Sequence, residues 1–423
     1  MDVSKPSVSN LCRYLSFLFV AYCVNESNEN ARLQRKRGVE RFEVIYDWNY
    51  VNFTWLNADD YNLAIINGKY IPANNVISNI KFYTDKMYVA LPRLFKGTPV
   101  TLAVMTNSGK YENNKLLKPY PSWKMNSLDH CAALQNVYSM EIDKYGVMWV
   151  LDGVRITNGT KCPPKLVLLD LKRQGNVVRY FDFPEHLSSV YGGFLTDLVI
   201  DETDGGFAYI TESSDHDPGI IVYSKHLDKA WKIRDRSMFA EITASNFVVE
   251  GNQNSKLQNI NGIALSPVPK NPNQERLIYY TPLIGVNMFA ISNKLLKNQV
   301  LMRGDVWRRG IKYIGKREGV SDRMMIDNEG NMYYGILNLY GICKWNIFEP
   351  FITSKMIIHD QMEYIWPASF GMDNSGNLYV LSNSLNKFLQ SKPPKSSDKS
   401  IIKVSRLYTG TRSYLYKNSN IIR

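Results

Sequence analysis

The sequence of 423 residues lacks the motifs that mark most enzyme classes and nucleic-acid-binding proteins. It has no serine nucleophile elbow, no phosphate-binding loop and no paired-cysteine motif, and its five histidines stand in no recognisable nucleophile or metal motif. The formal charge of +12 favours acidic partners, yet the basic residues are dispersed along the chain. Long amphipathic helices are also missing from the body of the chain. We therefore expect no nucleic-acid partner, no cofactor and no bound metal.

The sequence also has no apolar run long enough to span a bilayer; the run at residues 14–24 is too short. Basic residues precede this run, polar residues follow it, and Ala21 and Cys23 supply the small side chains that a signal peptidase recognises. The pattern predicts a signal peptide over residues 1–23, a flexible basic segment over residues 24–40, and secretion of the mature protein. A buried N-terminal strand is the alternative, and it explains the change of polarity less well.

What the sequence does contain is a recurring unit, in which a turn rich in Asp, Gly and Asn leads into a short strand with a central aromatic residue. Copies recur roughly every 45 to 70 residues, the range expected for propeller blades and similar arrays. The six copies are residues 84–91 with Tyr88, 143–152 with Trp149, 204–212 with Tyr209, 275–282 with Tyr279, 327–337 with Tyr333, and 373–383 with Tyr379.

Each copy has an apolar strand before its turn and another β-rich strand after it, as antiparallel hairpins require. These triplets predict an all-β fold, a six-bladed β-propeller over residues 41–411. Residues 42–51 form a further β-rich segment that precedes the first blade. Because a ring of blades must be closed, we expect this strand to join the last blade. The remaining residues, 412–423, predict a loose basic tail.

Three cysteines remain after removal of the signal peptide, so one of them must stay unpaired. A disulfide between Cys131 and Cys162 would hold the long loop of the second blade, and Cys343 then fits a buried, inert thiol. Asn52 and Asn158 begin N-glycosylation sequons, which in a secreted chain mark surface loops.

Several motifs along the chain resemble those of the Yellow and major royal jelly protein family of insects, and more closely its royal jelly branch. They are residues 118–121 (KPYP) with Trp123, 149–153 (WVLDG), 162–166 (CPPKL), 219–223 (GIIVY), 261–267 (NGIALSP), 343–346 (CKWN) and 381–383 (LSN). The resemblance implies a secreted, glycosylated six-bladed propeller, in agreement with the blade count.

The chain departs from the family pattern at three places. Two family cysteines are absent, one where this chain has Tyr145 and one around residues 203–206, as expected if a bridge were lost as a pair. Lys344 is inserted between the cysteine and tryptophan of a family segment. Salivary relatives that bind biogenic amines use a threonine, an asparagine and an aromatic residue. Only the asparagine, Asn383, is matched here, so the resemblance does not extend to amine binding of that type.

Side chains at one end of a propeller channel form the default ligand site, where second strands end and first strands begin. We call this end the channel mouth. The residues expected there are Arg93, Asp152, Arg155, Asp197, Glu212, Asn261, Asp322, Arg323, Ser369 and Asn383, with Trp366 and Phe370 close by. This mixture suits a small amphipathic or aromatic molecule. The other interpretation is that these residues only cap strand ends.

The sequence favours a secreted, non-catalytic ligand-binding or nutritive protein, with no catalytic residues assigned. A small molecule in the channel is the expected partner, with a peptide or a second copy of the chain as further possibilities. The resemblance implies one enzymatic alternative, a dopachrome-converting enzyme of cuticle pigmentation. A third reading is a calcium-dependent hydrolase with Asp152, Glu212, Asn261 and Asn383 as ligands, but the other signatures of that class are missing.

Overall fold

The computed structural model describes residues 42–106, 115–128, 130–153, 162–254, 256–269, 271, 274–301, 304–389 and 402–416. The predicted signal peptide and the basic segment after it lie outside these residues, as do Arg155 and Asn158. The predictions made for them stay predictions.

Six four-stranded antiparallel sheets make up the described structure, and they form the blades of a β-propeller. The first strand of each blade contacts the first strands of the two neighbouring blades, which closes a ring. Blade one contains β2 (Asn79–Tyr83), β3 (Lys86–Ala90), β4 (Leu102–Thr106) and β5 (Lys118–Pro119). Blade two contains β6 (Val137–Ile142), β7 (Val147–Asp152), β8 (Lys165–Asp170) and β9 (Asn176–Asp182). Blade three contains β10 (Leu195–Asp201), β11 (Phe207–Glu212), β12 (Gly219–Ser224) and β13 (Lys229–Ile233).

A small hairpin follows blade three in the chain, built from β14 (Phe247–Val249) and β15 (Asn252–Asn254), and it contacts the segment Leu337–Leu339 of blade five. Blade four contains β16 (Ile260–Leu265), β17 (Leu277–Pro282), β18 (Asn287–Ser292) and β19 (Lys312–Lys316). Blade five contains β20 (Met324–Ile326), β21 (Asn331–Ile336), β22 (Gly341–Asn346) and β23 (Lys355–His359). Blade six contains β24 (Pro367–Met372), β25 (Asn377–Asn383), β26 (Ile402–Tyr408) and, from the start of the chain, β1 (Glu43–Trp48).

The ring is closed by the N-terminal strand, as the sequence predicts. β1 pairs antiparallel with β26, so that Trp48 lies opposite Ile402 and Glu43 opposite Arg406. An ion pair of 2.8 Å between the side chains of Glu43 and Arg406 supports the pairing. The last blade therefore draws strands from both ends of the propeller, and β1 covers the outer edge of β26.

The recurring sequence unit is a turn stabilised by an aspartate. In blade two, Oδ1 of Asp143 accepts hydrogen bonds from the backbone N–H groups of Tyr145 and Val147, both at 2.9 Å. Gly146 takes a φ of 83° in this turn, a conformation that favours glycine. The indole N–H of Trp149, the central aromatic residue of the second strand, donates to Oδ2 of Asp143 at 3.2 Å.

The same arrangement is found in blade six, where Tyr379 donates its hydroxyl to Oδ2 of Asp373 at 2.9 Å. The Tyr379 ring also stacks on Phe82 of blade one, with ring centroids 4.0 Å apart. Trp149 and Tyr379 thus bind their own turn and pack against a ring of a neighbouring blade, Tyr223 for the former and Phe82 for the latter. This double role links the local repeat to the packing of the ring.

Helices are few and short in the described part of the chain. The α-helices are α1 (Ala58–Ile66), α2 (Asn293–Lys297) and α3 (Leu385–Leu389). Short 3-10 helices lie at Pro72–Asn74, Lys124–Asn126, Leu171–Arg173, Arg236–Met238, Ile242–Ala244, Val306–Gly310, Leu337–Leu339 and Phe351–Thr353. None of the described helices has the length and apolar character needed to cross a bilayer.

The predicted disulfide is present. Cys131 and Cys162, 31 residues apart, are bonded and join the start of the second blade to the loop before β8. Cys343 is a buried free thiol on β22, as expected, and burial raises its pKa to about 12. A thiol of this kind stays protonated at neutral pH and is unreactive.

Candidate functional site: a cavity at the turn face

The axis of the propeller is filled by the side chain of Arg323, which precedes β20. Its guanidinium donates to the backbone carbonyl of Ser78, to that of Tyr138 at 3.1 Å and to that of Thr196 at 2.7 Å. These carbonyls belong to blades one, two and three. Nε of Arg323 also lies 3.4 Å from a carboxylate oxygen of Asp197. One side chain of blade five therefore holds the opposite half of the ring.

Asp322, the preceding residue, binds the other two blades. Its carboxylate accepts the indole N–H of Trp366 from blade six at 2.7 Å and the side-chain amide of Asn261 from blade four. Burial raises the pKa of Asp322, as it does that of Asp197. The polar residues predicted at the channel mouth do converge here, but they are bonded to one another.

Little space remains around this network. A cavity of about 20 Å³ at the mouth is lined by Asn261 and Asp322, and one of about 10 Å³ along the axis is lined by Arg323, Ser369 and Phe370. Each volume is close to that of a single water molecule. A ligand at the mouth would have to displace the side chains that fill it.

Other residues predicted at the mouth hold loops. The guanidinium of Arg93 donates to loop carbonyls that include those of Thr98 at 3.0 Å and Leu134 at 3.1 Å, and burial lowers its pKa to about 10. Asp152 forms a buried ion pair of 2.6 Å with Lys165 and accepts the backbone N–H of Gln135.

Glu212 and Asn383 are similarly engaged. Glu212 pairs with Lys232 at 2.7 Å and accepts the backbone N–H of Phe194 at 2.8 Å. Asn383 donates to the carbonyl of Ile77 at 2.8 Å and accepts the first amide of α3. Ligand binding by these residues stays a prediction, and it would require these contacts to rearrange.

The opposite end of the ring, where the turns between first and second strands lie, contains a cavity of about 1060 Å³. We call it the turn-face cavity. It lies between blades two to five and the segment that follows β26. The lining residues used below are Arg276, Tyr279, Lys312, Phe348, Tyr414 and Tyr416. Its volume is in the range of small-molecule sites.

Tyr279 on β17 forms one wall of the turn-face cavity. Its ring packs edge-on against Trp345 of blade five, with centroids 5.9 Å apart, and only 3% of the residue is exposed. Burial raises the pKa of its hydroxyl, which therefore stays protonated. This hydroxyl has no hydrogen-bond partner among the described residues. Tyr279 differs in this from Trp149 and Tyr379, whose polar atoms bind the turn aspartate.

Arg276 forms a second wall and is held by buried contacts. Its guanidinium donates to Asp201 at 2.7 Å, and Lys297 contacts the other oxygen of that carboxylate, also at 2.7 Å. Burial alone would raise the pKa of Asp201, but the two cations outweigh it and lower the pKa to about 2. Arg276 also lies over the ring of Tyr414, 5.7 Å from its centroid.

The segment after β26 closes the turn-face cavity on its axial side. Ser413 forms a bridge with Asp327, the backbone N–H of Tyr414 donates to Ile326 at 3.3 Å, and the Tyr414 hydroxyl accepts the N–H of Ile200 at 3.0 Å. Tyr414 lines both this cavity and the small axial one, so its ring separates them. The sequence predicts a loose tail over residues 412–423. Its described part, residues 412–416, is instead held in place by the burial of Tyr414.

Sequence reasoning did not identify the turn-face cavity. Its walls come from turns far apart in the chain, and no motif connects them. One signal was available, since the turn of blade four is longer than the others and has Asn273 where blades two, five and six have aspartate six positions before the aromatic. Asn273 lies outside the described residues.

None of the histidines in the described part of the chain lines the turn-face cavity or the two small cavities. All five histidines are exposed and lie in loops or, for His359, on the outer strand β23. The described residues contain no group of three or more His, Cys, Asp or Glu that could hold a metal ion. The sequon residue Asn52 is half-buried, and its side-chain oxygen accepts the indole N–H of Trp55 at 3.1 Å. Its glycosylation stays a prediction.

Comparison with known protein families shows the family of the chain. The family model described as major royal jelly protein matches residues 135–412. This chain belongs to the major royal jelly protein family. Family members of the Yellow type are similar over most of its length. Protein yellow of Drosophila madeirensis is 25% identical over 96% of this chain and 70% of that protein, and Protein yellow of Drosophila melanogaster is 25% identical over 88% and 69%.

Solved structures give a weaker likeness to this royal jelly family member. A luciferin-regenerating enzyme aligns with a TM-score of 0.48 and 14% identity, covering 84% of this chain and 96% of that one. A streptogramin B lyase aligns with a TM-score of 0.44 and 9% identity, covering 87% and 97%.

Proposed function

We propose that this family member is a secreted, non-catalytic protein that binds an amphipathic or aromatic small molecule in the turn-face cavity. The observation that carries the proposal is the cavity itself, which combines about 1060 Å³ with the aromatic side chains of Tyr279, Phe348 and Tyr416. Sites for small molecules are usually concave and mostly apolar, with a few polar groups that orient the ligand. Secretion is supported by the signal-like N-terminus and by the disulfide, which is typical of oxidising compartments.

The lining of the turn-face cavity also supports the non-catalytic part of the proposal. The described residues that line the turn-face cavity include no histidine and no cysteine. The one serine among them, Ser266, therefore has no histidine in the lining to activate it as a nucleophile. The enzymatic alternative, conversion of dopachrome, draws its support from the family resemblance. A purely nutritive role is a further alternative, in which no specific ligand would be needed.

Native mass spectrometry of the secreted protein tests the proposal. Val268 lines the cavity and is 46% exposed, so Val268→Trp should fill the cavity without disturbing the core. The matched control is Val178→Trp on β9, because this valine is 51% exposed and does not line the turn-face cavity. We expect a co-purified or added small molecule to bind the wild type and Val178→Trp, and to be lost from Val268→Trp.

An adduct that persists unchanged in Val268→Trp would refute the cavity as the site, and the absence of any adduct would favour the nutritive role. The enzymatic alternative is measured separately, by following dopachrome decay against a heat-inactivated control. Turnover above that control would overturn the non-catalytic assignment.

A further inference from the structure

The ionisable side chains that line the turn-face cavity balance in charge. Two of the basic ones are already engaged: Lys144 pairs with Glu202 at 2.6 Å, and Arg276 is held by Asp201. The remaining basic residue, Lys312, is exposed. The basic members are Lys144, Arg276 and Lys312, and the acidic members are Glu202, Glu275 and Glu329. With three charges of each sign, the described lining offers no cluster that would favour an anion or a cation.

The hydroxyl of Tyr279 is one polar group of the cavity wall that the described residues leave without a hydrogen bond, and a guanidinium nitrogen of Arg276 is another. Tyr279 is 97% buried by residue surface, yet its hydroxyl lacks a hydrogen-bond partner among the described residues. Buried polar groups are nearly always hydrogen-bonded, by protein, water or ligand. Tyr333, in the equivalent strand of blade five, donates to Asp327 at 3.5 Å, whereas the hydroxyl of Tyr209 in blade three is buried without a partner in the described part of the chain. Of the hydroxyls of Tyr209 and Tyr279, that of Tyr279 belongs to a residue lining the turn-face cavity.

Aromatic surface is available within the same cavity. Phe348 follows β22 and is 68% exposed although it lines the cavity, and Tyr416 lies on the side of the C-terminal segment. Aromatic rings attract other rings in offset or edge-on geometry, beyond the gain from apolar burial. A ligand that presents a ring to Phe348 and an oxygen to Tyr279 would use both features.

We infer that the turn-face cavity takes an uncharged molecule with an aromatic ring system and one hydrogen-bonding oxygen, and that Tyr279 orients it through this oxygen. The inference rests on the proposed function and adds the chemical class of the ligand. Tyr279 is a specificity-determining residue in this arrangement.

Isothermal titration calorimetry with four naphthalene derivatives tests the inference. The probes are 2-naphthol, naphthalene, 2-naphthoate and 2-naphthylmethylammonium, which share a ring system and differ in charge and hydrogen bonding. We expect 2-naphthol to bind wild-type protein about five-fold or more tightly than either charged probe. Tyr279→Phe should weaken 2-naphthol binding about 3- to 10-fold, the range of one neutral hydrogen bond, and leave naphthalene binding within about two-fold.

Tyr88→Phe is the matched control, because Tyr88 holds the equivalent position in β3 of blade one and does not line the cavity. It should leave all four affinities unchanged. Tighter binding of a charged probe, or equal binding of 2-naphthol by wild type and Tyr279→Phe, would overturn the inference.

The outcomes also separate the inference from the proposed function. If none of the probes binds but an adduct that depends on Val268 is seen by native mass spectrometry, the ligand class is wrong and the cavity remains a site. If no probe binds and no adduct is seen, the proposed function itself fails.

Discussion

Replacing Arg323 should destabilise the whole propeller, because this side chain bonds to three other blades at the axis. Arg323→Met keeps an apolar stem of similar length and removes the guanidinium. It leaves the carbonyls of Ser78 and Thr196 without their donor and the carboxylate of Asp197 without its closest cation, while the carbonyl of Tyr138 keeps the hydroxyl of Ser78 at 2.8 Å.

The expected loss follows from the carbonyls of Ser78 and Thr196 and the carboxylate of Asp197. Each buried carbonyl left unsatisfied costs about 1–3 kcal/mol, less where water enters, and breaking a buried charge pair costs about 3–5 kcal/mol. Because these costs overlap, we expect a decrease of about 4 kcal/mol in the free energy of unfolding. That is a large part of the 5–15 kcal/mol typical of folded domains.

Urea-induced unfolding followed by circular dichroism would measure this loss. Arg173→Met is the control, since Arg173 is 76% exposed, and it should change the free energy by less than about 0.5 kcal/mol. The double variant Arg323→Met with Asp197→Asn should recover about 1–2 kcal/mol, because the unpaired carboxylate is gone. A loss below about 1 kcal/mol in Arg323→Met would refute the idea that this side chain holds the ring together.

Three further changes test the other parts of the structure. Tyr414→Ala should join the turn-face and axial cavities. It should lower the free energy of unfolding by about 3–5 kcal/mol, the cost of removing a buried aromatic ring. An unchanged free energy of unfolding in a urea titration would contradict this. Cys162→Ser should cost about 3–4 kcal/mol by loop-closure entropy over 31 residues, measured as a lower midpoint of thermal unfolding that reducing agent reproduces in the wild type. The pKa of Asp201 is depressed to about 2 by Arg276 and Lys297, so its contribution of about 2 kcal/mol is present above pH 4 and is lost as the pH falls from 4 to 2. In Asp201→Asn, the urea midpoint should therefore change less with pH between pH 4 and pH 2 than in the wild type. A pH dependence equal to that of the wild type would exclude this role of Asp201.

The channel mouth shows that convergence of polar side chains does not by itself leave an open space. Asn261, Asp322, Arg323 and Trp366 come from three different blades and meet at the axis, as the blade pattern predicts. Whether converging polar side chains leave an opening depends on their lengths and on the radius of the ring. Here the long guanidinium of Arg323 crosses the axis and satisfies its neighbours, so the space is closed.

Residues predicted as ligands can also serve as supports for the loops around the mouth. Arg93 and Asp152 are buried charges that bind loop backbone, and this role is invisible in a sequence because the partners lie in other turns. The prediction of the disulfide is confirmed, whereas ligand binding by these residues stays a prediction. Few cysteines were available, and their positions left few pairings.

The amino-acid sequence by itself determined the number of blades, the closing strand and the family. These features depend on local chemistry that repeats, such as an aspartate binding its own turn and an aromatic residue six positions later, and local contacts can be read from neighbouring residues. Only the tertiary structure decided which end of the ring is open, because that depends on side chains that meet from distant turns. A filled axis at Arg323 and an open cavity beside Tyr279 are both outcomes of packing across blades, and packing across blades leaves no periodic trace in the chain.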